Sequence, residues 1–349
     1  MKRIIMFTAM VACLFAATDG VKAQKERKEE KEFKYVIDEF ADVKVMRYQV
    51  PEWDNLTLKQ QEYLYYLSEA AKCGRDILWD QNYKYNLTIR KTIENIFASY
   101  KGKRQGKDWD NFVVYSKRVF FSNGIHHHYA EDKIMPSFSK KYFESLIAES
   151  SVKGFPTNKG ENIKDFALRV SDLILNPNIA PKRKETDKGK DIIASSAVNF
   201  YEGVTREEVE NFYKSKENKD KEHPLSIGLN SKVVKEGKTL VEKVYKVDGM
   251  YSNAIKEIVY WLEKANQVAE NNNQKKYTSL LIDYYKTGNL KTWDEYNIIW
   301  ASDVTSQCDY VNGFIEDYND PLGMKATWES VVNFKDMDAT KRTELISSN

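Results

Sequence analysis

Three consecutive histidines, His126-His127-His128, are the first residues whose type could do chemistry, because imidazole is a common zinc ligand. Neighbours in a strand or helix point in different directions, so such a run does not easily converge on one ion. The remaining histidine, His223, lies in a charged stretch, and neither His-Glu-x-x-His nor a paired Cys-x-x-Cys pattern occurs. The run therefore reads as a polar loop following Ser122-Asn123-Gly124-Ile125, and no zinc site is expected within this chain. Nucleophilic catalysis has no better basis: there is no Gly-x-Ser-x-Gly elbow, and neither Cys73 nor Cys308 stands beside a histidine. The 15 glycines are scattered and form no complete phosphate-cradling loop.

What remains is the stretch from Asp309 to Gly323, Asp-Tyr-Val-Asn-Gly-Phe-Ile-Glu-Asp-Tyr-Asn-Asp-Pro-Leu-Gly. It reads as a strand, a turn through Asn319 to Gly323, and a second strand from Trp328 to Phe334. Asp309, Asn312, Glu316 and Asp320 would then offer carboxylates and an amide close together. An edge strand with acidic groups facing a cleft suits a peptide backbone and a positively charged N-terminus. A purely structural role accounts for the same pattern.

The elements that must position this stretch are mostly helical. Thr57-Leu58-Lys59-Gln60 has capping-box spacing ahead of Leu64, Leu67 and Ala71, and Thr205 to Glu208 and Thr292 to Glu295 repeat it ahead of Val209, Phe212 and Tyr213 and of Tyr296, Ile299 and Trp300. Helical stripes also run through Ile89, Ile93, Ile96, Phe97 and Tyr100, through Ile163 to Ile174 with a stop at Pro177, and through Ile255 to Ala265. A further helix over Tyr277 to Tyr285 is closed by Gly288. Strand signals concentrate late, at Leu225–Val234, Leu240–Val247, Tyr310–Tyr318 and Trp328–Phe334, so the fold class is α+β. Lys182 to Lys190 and Lys214 to Glu222 read as exposed loops.

Composition fits an ordinary globular chain. Of the 349 residues, 42% are apolar and 30% charged, and a formal net charge of +2 gives no reason to expect nucleic acid. Lys2 and Arg3, the apolar run Ile4 to Ala17 and the Val21-Lys22-Ala23 end predict an export signal over 1–23, cleaved before Gln24. That run is too short for a membrane span. Residues 24–49 read as a charged mobile segment, and the location implied is periplasmic or secreted. Cys73 and Cys308 are too few for a disulfide scaffold, and sequence leaves open whether they pair.

Gly313-Phe314-Ile315-Glu316, followed by Tyr318, Asp320-Pro321, Gly323 and the pair Trp328-Glu329, resembles a hallmark stretch of the dipeptidyl-peptidase III metallopeptidases. Tyr66 to Ala71, Phe121 to Gly124, Lys133-Ile134-Met135-Pro136 and Gly203-Val204-Thr205 agree in order, so the resemblance spans most of residues 50 to 349 and is nearest to Bacteroidetes-type members. The resemblance implies two lobes around a wide cleft. Residues 50–333 would form the lower lobe, helical around a small β-barrel core, and 334–349 the start of an upper lobe. It implies a zinc enzyme that releases dipeptides from the N-terminus of oligopeptides, its metal held by a His-Glu-x-x-x-His helix that this sequence does not contain. On that basis the chain reads as an N-terminal half, inactive and zinc-free alone, lacking the zinc lobe as its partner. Asp309 and Tyr310 are the nearest equivalents, with a shift of one residue, of the substrate-holding pair that the resemblance implies; Asn312, where many relatives have an apolar residue, and Glu316 are read beside them as substrate-binding, with no catalytic residue expected in the chain. The alternative is an exported, non-catalytic peptide-binding module.

Overall fold

Apolar residues three and four apart decide which face each helix buries, and the buried faces gather into separate cores. The computed structural model describes residues 33–216 and 220–348, so the expected leader at 1–23 lies outside the described residues. The chain divides into two compact units, residues 1–50 and 51–349.

In the first unit, β1 (Val36–Phe40) and β2 (Val43–Met46) form an antiparallel hairpin with Ala41 at φ 50° in its turn. Sequence alone predicts a charged mobile segment over 24–49, and the hairpin lies within it. The hairpin forms because Val36, Phe40, Val43 and Val45 alternate onto its less exposed face.

The second unit runs α1 (Leu58–Cys73), α2 (Arg75–Asn82), α3 (Asn86–Ser99), α4 (Lys107–Phe121), α5 (Lys140–Ala148), α6 (Ile163–Leu175), the short β3 (Tyr201–Glu202) and α7 (Arg206–Lys214). It continues with β4 (Ser231–Glu236), β5 (Thr239–Val244), α8 (Ser252–Gln267), α9 (Asn272–Thr287), α10 (Leu290–Ser302), β6 (Cys308–Glu316), β7 (Thr327–Phe334) and α11 (Met337–Ser347). Two of the three expected capping boxes form. Thr57 and Thr205 each accept a bond from the amide three residues on, and Gln60 and Glu208 accept from the threonine amides at 2.9 and 3.0 Å. Such a cap is worth about 1 kcal/mol. The third box does not form: α9 ends on left-handed Gly288, and Asn289 caps α10 by accepting the Lys291 amide at 2.9 Å, before Thr292 is reached.

One hydrophobic core joins α1, α8, α9 and α10 to the inner face of β6 and β7; a second lies among α3 to α6. A third, small core around Val209, Tyr213 and Val233 packs α7 against the sheet β3-β4-β5. The expected β-barrel is a correction. Among the described residues the strands make three separate sheets, β1-β2, β3-β4-β5 and β6-β7, and none closes. Helices α1 and α2 pack on the β6-β7 ribbon.

Candidate functional site

A β-ribbon has two faces, and residue alternation assigns each side chain of β6 to one of them. Cys308, Tyr310, Asn312 and Phe314 point into the core, where all four are buried. Asp309 and Val311 point outward, and their partners Asn333 and Val331, with Glu329 opposite Gly313, share that outer face. A bulge between Phe314 and Glu316 changes this register: Glu316 pairs with Thr327. Without the bulge Ile315 would face Thr327 and Glu316 would turn into the core, so the extra residue is what aims the Glu316 carboxylate outward. Gly313 is required by close approach, since a Cβ there would lie 2.7 Å from the Trp293 ring.

The four sequence-derived substrate residues therefore separate. Tyr310 is held by the core: its hydroxyl is 2.9 Å from Thr278 Oγ1, its ring packs on Tyr63 and Tyr277, and burial raises its pKa. Asn312 accepts the Tyr285 hydroxyl at 2.5 Å and donates to Ser330 Oγ at 3.2 Å, while Tyr285 accepts the Trp328 indole N–H at 2.9 Å. Asp309 and Glu316 are half-buried on the outer face. Asp309 Oδ1 accepts the Trp300 indole N–H at 2.9 Å and the Tyr310 amide at 2.7 Å.

Glu329, read from sequence only as half of an aromatic–acid pair, joins them. Burial pushes its carboxyl above the ordinary range, a hydrogen bond from Thr327 opposes that, and the nearby Glu316 charge adds to the rise. Two half-buried carboxylates near one another favour a cation between them. Their convergence depends on the strand register and the bulge, which spacing alone does not reveal.

The histidine run is built differently. His126 is buried and its Nε2–H donates to the Ala180 carbonyl at 2.9 Å; His127 Nδ1 accepts the amides of Tyr129 and Ala130 at 3.2 and 3.1 Å. One ring nitrogen of each is thus committed to backbone groups of different segments. Cys73 and Cys308 are free thiols, and burial pushes Cys308 up to about 12.

Residues 187–349 match the family profile described as Peptidase family M49. Dipeptidyl peptidase 3 of Dictyostelium discoideum is 22% identical over 316 residues, covering 84% of this chain and 44% of that protein. The same enzyme of Nematostella vectensis is 24% identical over 359 residues, covering 90% of this chain and 48% of that protein. The likeness to peptidase family M49 is thus carried by a profile match over residues 187–349 and by similarity to dipeptidyl peptidase 3 over most of the chain. Among solved structures, DPP III from Caldithrix abyssi superposes with a TM-score of 0.54 at 19% identity, covering 84% of this chain and 43% of that one. DPP III from Corallococcus sp. strain EGB gives 0.54 at 14% identity, covering 84% and 42%. These two likenesses establish the fold. The chain spans less than half the length of the relatives it matches.

M49 is a family of zinc metallopeptidases. The residues described do not fit that metal: no three His, Cys, Asp or Glu side chains among them converge, and the two best-placed imidazoles are already bonded to backbone. Dialysed protein should therefore carry only substoichiometric zinc by elemental analysis, since four convergent donors are needed to close a site. One tightly held zinc per chain would contradict this.

Proposed function

We propose that the outer face of the β6-β7 ribbon is the peptide-holding wall of a dipeptidyl-peptidase, with Asp309, Glu316 and Glu329 set toward the positively charged amino end of an oligopeptide. The observation that carries the reading is the sorting of one strand: its tyrosine and amide are locked into the core, and its carboxylates are turned to the opposite, half-buried face by alternation and a bulge. Dipeptide release in this reading needs zinc ligands from outside these residues, so the chain's own part is to bind and orient. Residues 50–333 would act as the lower lobe of a cleft and 334–349 as the start of the lobe that faces it, after export to the periplasm or beyond and loss of residues 1–23. A non-catalytic peptide-binding module would use the same wall, and differs only in releasing no dipeptide when joined to the rest of a family member.

Asp309→Asn tests the wall cleanly. An asparagine keeps Oδ1 as acceptor for Trp300 and for the Tyr310 amide, so the fold is retained while the charge is lost. A charge-assisted bond to a peptide ammonium is worth ~1.5–3 kcal/mol, so calorimetry should show affinity for a free-amino tetrapeptide falling about ten-fold or more. An N-acetylated tetrapeptide should be indifferent to the substitution. Equal binding of both peptides by the wild-type chain would sink the reading.

A further inference from the structure

We infer that Lys325 and Asp320, buried in the connection between β6 and β7, are positioning residues that lock the end of the ribbon carrying Glu316 and Glu329. The inference rests on the reading that those carboxylates hold a peptide.

A lysine at 0% exposure needs all its protons spent, and these are. Nζ donates to the Tyr213 hydroxyl at 2.7 Å, to Ser231 Oγ at 2.9 Å and to the Gly228 carbonyl at 3.2 Å. Tyr213 and Ser231 both lie 2.6 Å from Glu242 Oε1, whose second oxygen accepts Lys216 at 2.7 Å, so the buried cation reaches a carboxylate through two hydroxyls. Burial lowers Lys325 to about 8, opposed by the charges of Glu242 and Asp320.

Asp320, also buried, organises the turn itself. Its Oδ2 accepts the Tyr201 hydroxyl at 2.8 Å and the amides of Met324 and Lys325 at 2.9 Å each. Directly after it, the Ala326 amide donates to the Leu229 carbonyl at 2.9 Å, and Gln81 bridges the Ala326 carbonyl and the Trp328 amide at 3.0 and 2.8 Å. The connection is therefore tied to β3, β4, α7 and α2 before it enters β7. Thr327, the next residue, is the partner of the bulged Glu316, and its Oγ1 lies 3.1 Å from the Glu316 carbonyl and 3.0 Å from Glu329 Oε1. Movement of the connection thus reaches both carboxylates through Thr327, because the bulge interrupts the ladder on the Glu316 side and the Thr327 hydroxyl bridges to Glu329.

Scaffolding alone predicts lower stability with an unchanged Glu329. Positioning predicts a changed Glu329, which can be read without any ligand. The full chain would be labelled with ¹³C at glutamate carboxyls, and the Glu329 titration followed by NMR in wild type, Lys325→Met and Asp320→Asn. The midpoint of Glu329 should fall toward that of an ordinary glutamate in the variants, and the Kd for a free-amino tetrapeptide should rise about ten-fold. A folded Lys325→Met protein with the wild-type Glu329 midpoint overturns the inference, and Asp320→Asn decides it by the same reading where Lys325→Met fails to fold. A shifted Glu329 with no peptide binding in wild type would uphold the positioning role and overturn the peptide-wall reading instead.

Discussion

Gly74→Ala should cost several kcal/mol at a position where the backbone gives no reason for glycine. Gly74 has φ −85° and ψ −3°, a conformation alanine adopts readily, and it joins α1 to α2. The obstacle is a side chain: a Cβ there would lie 2.2 Å from both Cε2 and Cζ2 of Trp328. Trp328 cannot retreat, because it is 4% exposed, its indole N–H is bonded to Tyr285 and its amide to Gln81. Overpacking of this kind typically costs ~1–3 kcal/mol, and more where the neighbour is anchored on two sides. The better helix propensity of alanine returns at most ~1 kcal/mol. We expect a net loss of about 2–4 kcal/mol in urea unfolding, a large share of a typical stability of ~5–15 kcal/mol. A midpoint equal to wild type would show that the Trp328 ring moves aside freely.

The same contact explains why parts of this fold were readable and others were not. Helices with an aliphatic stripe and a side-chain cap, such as α1 and α6, follow directly from local spacing, because their buried face and their start are both encoded within one segment. Helix α4 does not stand out in the sequence, although Trp109, Phe112, Tyr115 and Val119 repeat at helical spacing. Its stripe is aromatic and β-branched, types that fit strands as well, and Gly106 at its start provides no side-chain cap. Helix α2 is only eight residues long and starts on Gly74 without a cap bond, so tertiary packing rather than local signal makes it.

For the site, strand boundaries came within two residues at β6 and within one at β7, yet the sorting of side chains needed the register. Tyr310 and Asn312 carry the polar groups that invite a substrate role, and only pairing shows that both face Thr278, Tyr285 and Ser330. Lys325 left no signal at all, since a lysine in a turn is ordinarily solvated and its burial depends on residues about a hundred positions away.

Acid should expose a second weakness, at His126. The ring is 2% exposed, donates from Nε2 to Ala180, and leaves Nδ1 buried without a partner. Burial, with the charges of Arg183 and Lys133 adding to it and the Ala180 bond opposing, lowers His126 from 6.5 to about 4. Neither cation can yield: Arg183 is paired with Glu131 through two 2.7 Å bonds, and Lys133 donates to the carbonyls of Asn176 and Ile179 at 2.6 and 2.9 Å. A histidine with a depressed native pKa takes up its proton first in the unfolded chain. Its contribution is therefore complete above pH 6.5 and is lost as pH falls toward 4, a total of up to about 3 kcal/mol. Carboxylates held low by cations, such as Glu161 by Arg169 and Glu202 by Lys232, lose their contribution only below about pH 4.5, which leaves the upper part of the window to His126. His126→Gln supplies the control, because its amide nitrogen can still donate to Ala180 and does not titrate. Urea midpoints between pH 7 and 4.5 should fall more steeply for wild type than for His126→Gln, and parallel curves would show that the imidazole carries its proton inside the fold without penalty.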